Sequence, residues 1–196
     1  MIALALTGSL GMGKSTAAAM LRRLRVPVWD ADAEVHRLLG PGGAAVEAVA
    51  REFPGTRDGA RIDRKRLGAR VFGDAAALRR LEAILHPRVR AAERRFLRAC
   101  RRRRAALVVL DIPLLFETGG EGRVDGVIVV SAPAWLQRQR VLRRPGMSAE
   151  RLGAVLAQQM PDTEKRRRAD WVLPTGLGKA LTLRRLRAIL RAAARR

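Results

Sequence analysis

Residues 8–15 read Gly-Ser-Leu-Gly-Met-Gly-Lys-Ser and fit the pattern G-x-x-x-x-G-K-[ST] without a gap. The apolar run Ile2 to Leu6 precedes them, and from Lys14 onward Ala17, Met20, Leu21 and Leu24 recur at helical spacing. A buried strand, a glycine turn and a helix therefore follow one another. In that order the glycines let the backbone bend until successive N–H groups point at one anion. The helix start adds its dipole and free donors. Within such a turn, Gly11, Met12, Gly13, Lys14, Ser15 and Thr16 are the candidate phosphate-binding residues. Lys14 supplies a point charge at the β and γ phosphates, and the Ser15 hydroxyl can ligate a Mg²⁺ ion bridging phosphate oxygens. The alternative is a glycine-rich turn before a helix with an exposed lysine, but chance matches to four fixed positions are uncommon in 196 residues. GTPases, ATPases, motors and small-molecule kinases share this loop, so the rest of the chain must discriminate.

The alternation continues along the chain. Val26 to Trp29 predicts a second strand, ending at Asp30-Ala31-Asp32. Residues 33–104 show no strand pattern and predict a helical insertion. In it Leu78, Leu81 and Leu85 share a helix face, and Pro87 punctuates the chain and opens a new helix carrying Val89, Ala92, Phe96 and Cys100. Ala105 to Leu110 is a third strand, closed by Asp111-Ile112-Pro113, and Val127 to Val130 a fourth. Ala134 to Arg144 predicts a helix stopped by Pro145-Gly146, and Ser148 can cap the next one. Trp171 to Leu173 is a fifth strand, followed by a closing helix. Strands alternating with helices imply a parallel sheet covered on both faces, with ligands beyond the carboxyl ends of the strands.

The 40 basic residues against 18 acidic ones leave a net charge of +22, and only four of the 40 are lysine. Such a charge attracts polyanions, whether nucleic acid, anionic membrane or phosphorylated small molecules. The runs Arg101 to Arg104, Arg166 to Arg168 and Arg195-Arg196 read as solvated faces or helix ends. Single-strand binders add aromatic stacking platforms to charge. Here aromatics are 4% and Tyr is absent, which weakens that reading. One cysteine, Cys100, permits no intrachain disulfide, and one Cys with two His cannot build a zinc cluster. No apolar run reaches the roughly 18 residues that a membrane helix needs, and the opening segment is too short for a signal-peptide core.

The candidate acceptor side rests on scattered polar residues. Asp30 and Asp32, one residue apart in an extended segment, point the same way at the end of the second strand. Either can take a proton from an attacking hydroxyl, or cap the following helix. Asp111 ends an apolar strand as a metal-holding carboxylate does, or simply sits in a turn before Pro113. Glu117 is a loop carboxylate with no role assigned by spacing. His86 by itself reads as a packing or hydrogen-bonding residue, and so does His36. Arg138, Arg140, Arg143 and Arg144 crowd one helix end, with Lys165 to Arg168 about twenty residues on. The two clusters suit a mobile lid or a basic surface hairpin.

In this order the chain resembles the dephospho-CoA kinases. Six segments carry the resemblance and span nearly its whole length: Gly8 to Thr16; Val28 to Asp32; Leu85-His86-Pro87 with Arg90; Asp111 to Glu117; Arg140 with Arg144; and Gln159-Met160-Pro161 leading to Lys165 and Ala169-Asp170. The resemblance implies an α/β fold, a P-loop NTPase-type three-layer sandwich with a five-stranded parallel sheet, a helical substrate-binding insertion and a helical lid. It implies a nucleotide-binding core at 1–32, 105–140 and 169–196, an acceptor-binding domain at 33–104 and a lid at 141–168. The implied reaction moves the γ-phosphate of ATP, with Mg²⁺, onto the 3′-hydroxyl of the dephospho-CoA ribose, the final step of coenzyme A biosynthesis. Asp32 would be the general base; Lys14 and residues Gly11 to Thr16 would hold ATP. His86, Arg90 and Pro113, Leu114, Leu115 and Glu117 would line the acceptor site, while Arg140 and Arg144 reach the phosphates. Mg²⁺ would rest on Ser15, with Asp111 reaching it through water. Expected alongside are a cytoplasmic monomer or weak homo-oligomer, with neither nucleic acid nor membrane as partner. A nucleoside or nucleotide kinase, or an Arg-rich nucleic-acid-binding NTPase, is the rival reading. The chain departs from many relatives at Ser9, where they carry glycine, and at Leu173-Pro174-Thr175-Gly176, where they carry an Asn.

Overall fold

The computed structural model describes residues 1–195. In chain order its elements are β1 (Ile2–Thr7), α1 (Lys14–Arg23), β2 (Val28–Asp30), α2 (Ala31–Leu39), α3 (Val46–Glu52), β3 (Arg57–Asp58), β4 (Arg61–Ile62), α4 (Arg64–Val71) and α5 (Ala75–Arg102). Then come β5 (Leu107–Asp111), β6 (Gly126–Ser131), α6 (Ala134–Leu142), α7 (Ala149–Ala157), α8 (Asp162–Arg168), β7 (Trp171–Pro174) and α9 (Lys179–Ala193). The chain divides into two compact units, residues 1–29 with 100–196, and residues 30–99. No described helix is long and apolar enough to cross a membrane.

The first unit is built on a five-stranded parallel sheet of order β2-β5-β1-β6-β7. Its central strands are short and apolar throughout because both faces are covered; Leu4, Ala5 and Leu6 are fully buried. Leu6 aligns with Asp111 and Thr7 with Val129, so β1 and β5 end within one residue of each other and β6 runs two residues further, to Ser131. Leu21 of α1 and Leu186 of α9 pack with Leu4, Leu6, Ile128, Val130 and Leu173 in the core on one face. Burial of each such leucine contributes roughly 1.5–3 kcal/mol. The arginines of 101–104 and 166–168 are exposed at helix ends, as their clustering predicted. Arg196 of the basic tail lies outside the described residues.

The second unit packs α2, α3, α4 and most of α5 around Leu38, Leu39, Val49, Phe53, Ile62, Leu67, Leu81 and Leu85. Three expectations need correction here. The insertion is not free of strand, because β3 and β4 pair antiparallel as a two-residue hairpin across Gly59, which has φ 57. The turn is Gly59-Ala60, between the paired Asp58 and Arg61, and the glycine at its first central position was the signal. Pro87 does not start a new helix, for α5 runs through it from Ala75 to Arg102. Its ring removes one hydrogen bond, but the apolar stripe of Leu81, Leu85 and Ala92 stays on one line and its burial outweighs the proline penalty of about 3 kcal/mol. The Arg88 guanidinium also donates to the Ile84 and Ala44 carbonyls, at 2.6 and 3.1 Å. Finally, the segment after Trp29 is not extended through Asp32: α2 begins at Ala31, Asp30 caps it by accepting from the Ala33 amide at 3.0 Å, and Asp32 sits in its first turn.

Candidate active site

The turn between β1 and α1 has the bend that its glycines foretold. Gly11 has φ 80 and Gly13 φ 91, in the left-handed region that other residues adopt only with strain. A Cβ on Gly11 would stand 2.5 Å from Val141 Cγ2, and one on Gly13 2.9 Å from the Thr175 hydroxyl. Gly13 is also the N-cap of α1 and offers no side-chain acceptor to the first turn. The N-terminal donors of α1 are thereby left for an anion. Ser15 and Thr16 are exposed on that turn, whereas Met12 is buried.

The loop is braced from outside by side chains remote in sequence. Gln137 Nε2 on α6 donates to the Leu10 carbonyl at 2.7 Å, and the Leu10 amide donates to Gln159 Oε1 at 3.1 Å. Thr175 Oγ1, just past β7, donates to the Met12 carbonyl at 2.6 Å. Arg140 donates to the Gly11 carbonyl at 3.4 Å and to the Thr175 hydroxyl and carbonyl at 3.2 and 2.8 Å. The Ala132 amide donates to Met12 Sδ at 3.2 Å. With those carbonyls held from outside, the loop is preorganised and less ordering entropy is lost on binding.

Lys14 stands at the inner edge of the loop, its Nζ 2.6 Å from Asp111 Oδ1. The sheet register places them together, since Asp111 ends β5 beside β1. Asp111 is buried, while the lysine side chain keeps 17% of its surface open. A buried carboxylate thus orients the ammonium without hiding it. The Thr7 hydroxyl donates to the Pro113 carbonyl at 2.9 Å and ties the loop after β5 to the end of β1.

The residues of that loop divide by exposure. Leu114 is exposed, Pro113 half-buried, and Leu115 fully buried with its side chain against Gly120. Leu115 therefore serves packing. Glu117 Oε1 accepts from the Met160 amide at 2.9 Å and lies 2.8 Å from Nζ of Lys165, which is fully buried. Burial pushes the Glu117 carboxyl up, but hydrogen bonds from Lys165 and from the Met160 and Glu117 amides outweigh it and hold the group below the ordinary carboxylate range. It is an ionised structural carboxylate joining the β5 loop to α8. Arg144, one residue past the cap of α6, is exposed and its guanidinium has no partner among the described residues.

In the second unit Asp32 is exposed on the first turn of α2. His86 and Arg90 are both exposed on α5, four residues apart and so on one face. Of the predicted residues, the structure joins Lys14 to Asp111 and Arg140 to the phosphate loop. The braces Gln137, Gln159 and Thr175 were not read from the sequence as such. Each acts across more than a hundred residues or from a different element, and a lone Gln or Thr carries no pattern.

The comparisons with known proteins agree with this geometry. A dephospho-CoA kinase family profile matches residues 2–177. A dephospho-CoA kinase of Paramagnetospirillum magneticum is 71% identical over 164 residues, 83% of this chain and 77% of the relative. One from Rhodospirillum rubrum is 62% identical over 188 residues, 94% and 88% of the two. A crystal structure from Thermus thermophilus superposes with a TM-score of 0.85 at 43% identity, covering 97% of each chain. The chain belongs to the dephospho-CoA kinase family.

Proposed function

We propose that this protein transfers the γ-phosphate of ATP to the 3′-hydroxyl of the dephospho-CoA ribose, completing coenzyme A. The observation that carries the reading is the braced phosphate loop with Lys14 held by Asp111 at 2.6 Å, in a chain of this family. The amides of Gly11 to Thr16 and the α1 dipole bind the β and γ phosphates. Lys14 exchanges part of its bond to Asp111 for the phosphates as they arrive, and neutralises charge that develops on transfer. Asp32 accepts the proton of the 3′-hydroxyl. His86, Arg90 and the Pro113-to-Glu117 loop position the acceptor, with Leu115 acting through packing and Glu117 through Lys165 and Met160. Arg140, whose guanidinium is committed to Gly11 and Thr175, keeps the loop in shape; Arg144 is the mobile cation that reaches the phosphates.

Mg²⁺ fits the residues present. No described cluster of three His, Cys, Asp or Glu could cage an ion, but this cation needs only one or two protein oxygens beside phosphates and water. The exposed Ser15 hydroxyl would bind it directly and Asp111 through water. The ion would supply charge neutralisation on the bridging phosphate oxygens. Residues 33–104 form the acceptor-binding domain and 141–168 the lid on this reading, in a cytoplasmic monomer or weak homo-oligomer with no nucleic-acid partner.

The test is acceptor choice. The protein is incubated with ATP, Mg²⁺ and dephospho-CoA, a nucleoside panel or RNA, and ADP release is followed. Dephospho-CoA should stimulate release at least a hundredfold over the others (an order-of-magnitude expectation for a site that hydrogen-bonds its substrate). Stimulation by RNA or a nucleoside with none by dephospho-CoA rejects the assignment.

A further inference from the structure

Within the second unit a cavity of about 400 Å³ opens between the end of α2, the β3–β4 hairpin and the start of α4. Leu39 and Ile62 give it an apolar floor, and His36, Arg61, Arg64 and Lys65 rim it. We propose that this cavity is the anion subsite of the acceptor domain, and that Arg64 and Lys65 bind the diphosphate bridge of the acceptor. The proposal rests on the function given above and extends it to residues that the sequence left without a role.

Three observations support it. First, the cavity carries surplus positive charge. Asp58 is paired with Arg61 at 2.7 Å. Asp63 is used up capping α4, accepting from the Lys65 and Arg66 amides at 2.8 and 3.2 Å, and in a contact with Arg66. Arg64 has no carboxylate partner among the described residues, and Lys65 makes no close ion pair there, meeting Asp63 only through a weaker charge attraction. The Arg64 guanidinium instead meets the ring Nε2 of His36. A guanidinium set against an imidazole rather than an acid is poised to accept an anion between or beside them, because the anion supplies the missing countercharge.

Second, the rim is preorganised. The Asp63 amide donates to the Thr56 carbonyl at 2.8 Å and the Gly42 amide to the Ala60 carbonyl at 2.9 Å, which fixes the hairpin and the chain after α2. Ile62 and Leu67 anchor both sides of Arg64 in the buried cluster. The backbone bearing the cations therefore stays put when a ligand binds. Third, the cavity lies in register with the proposed base. His36 follows Asp32 by four residues on α2, so the two occupy one helix face about 5–6 Å apart in side-chain origin. A nucleotide-like acceptor carries its diphosphate one sugar away from the ribose hydroxyl, which matches that spacing in kind.

The experiment measures dephospho-CoA binding by calorimetry, with the donor site filled by a non-hydrolysable ATP analogue. Arg64 is exposed, so Arg64→Met can be made without disturbing the core. It should raise the Kd for dephospho-CoA about 10- to 100-fold and flatten its dependence on salt, with Arg64→Lys recovering part of the loss. The Kd for the ATP analogue should move less than twofold. In the same protein, inorganic diphosphate alone should shift the His36 imidazole resonances in the wild type and not in Arg64→Met, which separates the free anion from the full acceptor. An unchanged Kd in Arg64→Met, a loss with undiminished salt dependence, or an unmoved His36 resonance overturns the subsite. Absence of dephospho-CoA turnover by the wild type overturns the functional reading and the subsite with it; turnover combined with an indifferent Arg64→Met overturns the subsite alone.

Discussion

Asp32 lies exposed on the first turn of α2, where the base of the proposed reaction can meet a hydroxyl group. Asp32→Asn should lower kcat by about 10²–10⁴-fold while ATP affinity, followed by fluorescence titration with a nucleotide analogue, stays within twofold. Near-normal turnover in that variant removes Asp32 from the role. Thr175 has a different duty. Its hydroxyl donates to the Met12 carbonyl and accepts from Arg140, so one atom links the phosphate loop to α6. Thr175→Val keeps the shape but strands both partners. It should weaken ATP binding about five- to tenfold, roughly 1–1.5 kcal/mol, with little change in dephospho-CoA affinity by calorimetry. The two residues differ in legibility. Asp32 stood at a strand end as the last residue of a family-like Asp-Ala-Asp segment and could be singled out, but its helical setting could not, because Asp30 competes for the cap and wins. Thr175 gave no signal, since its partner is 163 positions away.

Between elements, one link in the first unit is polar and buried. Lys165 on α8 is fully buried against Glu117 of the β5 loop. Removing one partner of such a pair leaves an uncompensated charge, which costs about 3–5 kcal/mol, whereas replacing both is often tolerated. Lys165→Met should therefore lower the urea midpoint strongly, and the double variant Glu117→Gln with Lys165→Met should recover more than half of the loss. Glu117 titrates below the ordinary glutamate value of 4.5 in the folded protein. The unfolded chain binds this proton more readily, so the pair's contribution is present above about pH 4.5 and is lost as pH falls through the lower folded value. Acid titration of stability in the double variant should show a shallower fall than in the wild type over that range. At the same scale, α5 shows how burial overrides local preference. Proline marks a break when read by propensity alone, yet an apolar stripe continuous from Leu81 to Ala92 holds the helix together past Pro87.

Across the whole molecule the charge of +22 is carried largely by exposed arginines, along the helices as well as at their ends. Self-repulsion of that size opposes the compact state and is screened by salt. Raising NaCl from about 20 to 300 mM should lift the Tm by several degrees, on the order of 1–2 kcal/mol, in calorimetry without nucleotide. A flat or falling Tm would mean that the local Arg–Glu pairs already offset the repulsion. The sequence by itself determined the phosphate loop, the alternation of strand and helix, and the identity of the family, because these depend on short-range chemistry: glycine dihedrals, apolar periodicity and the order of compact motifs. Tertiary structure alone decided what those motifs rest against. The sheet order sets β1 between β5 and β6 and so delivers Asp111 to Lys14. The fold brings Gln137, Gln159, Arg140 and Thr175 to the back of the loop, and it leaves Arg64 facing an imidazole instead of an acid. Hydrogen bonds and ion pairs between residues distant in the chain depend on where whole elements pack, and no local pattern of residue types encodes that.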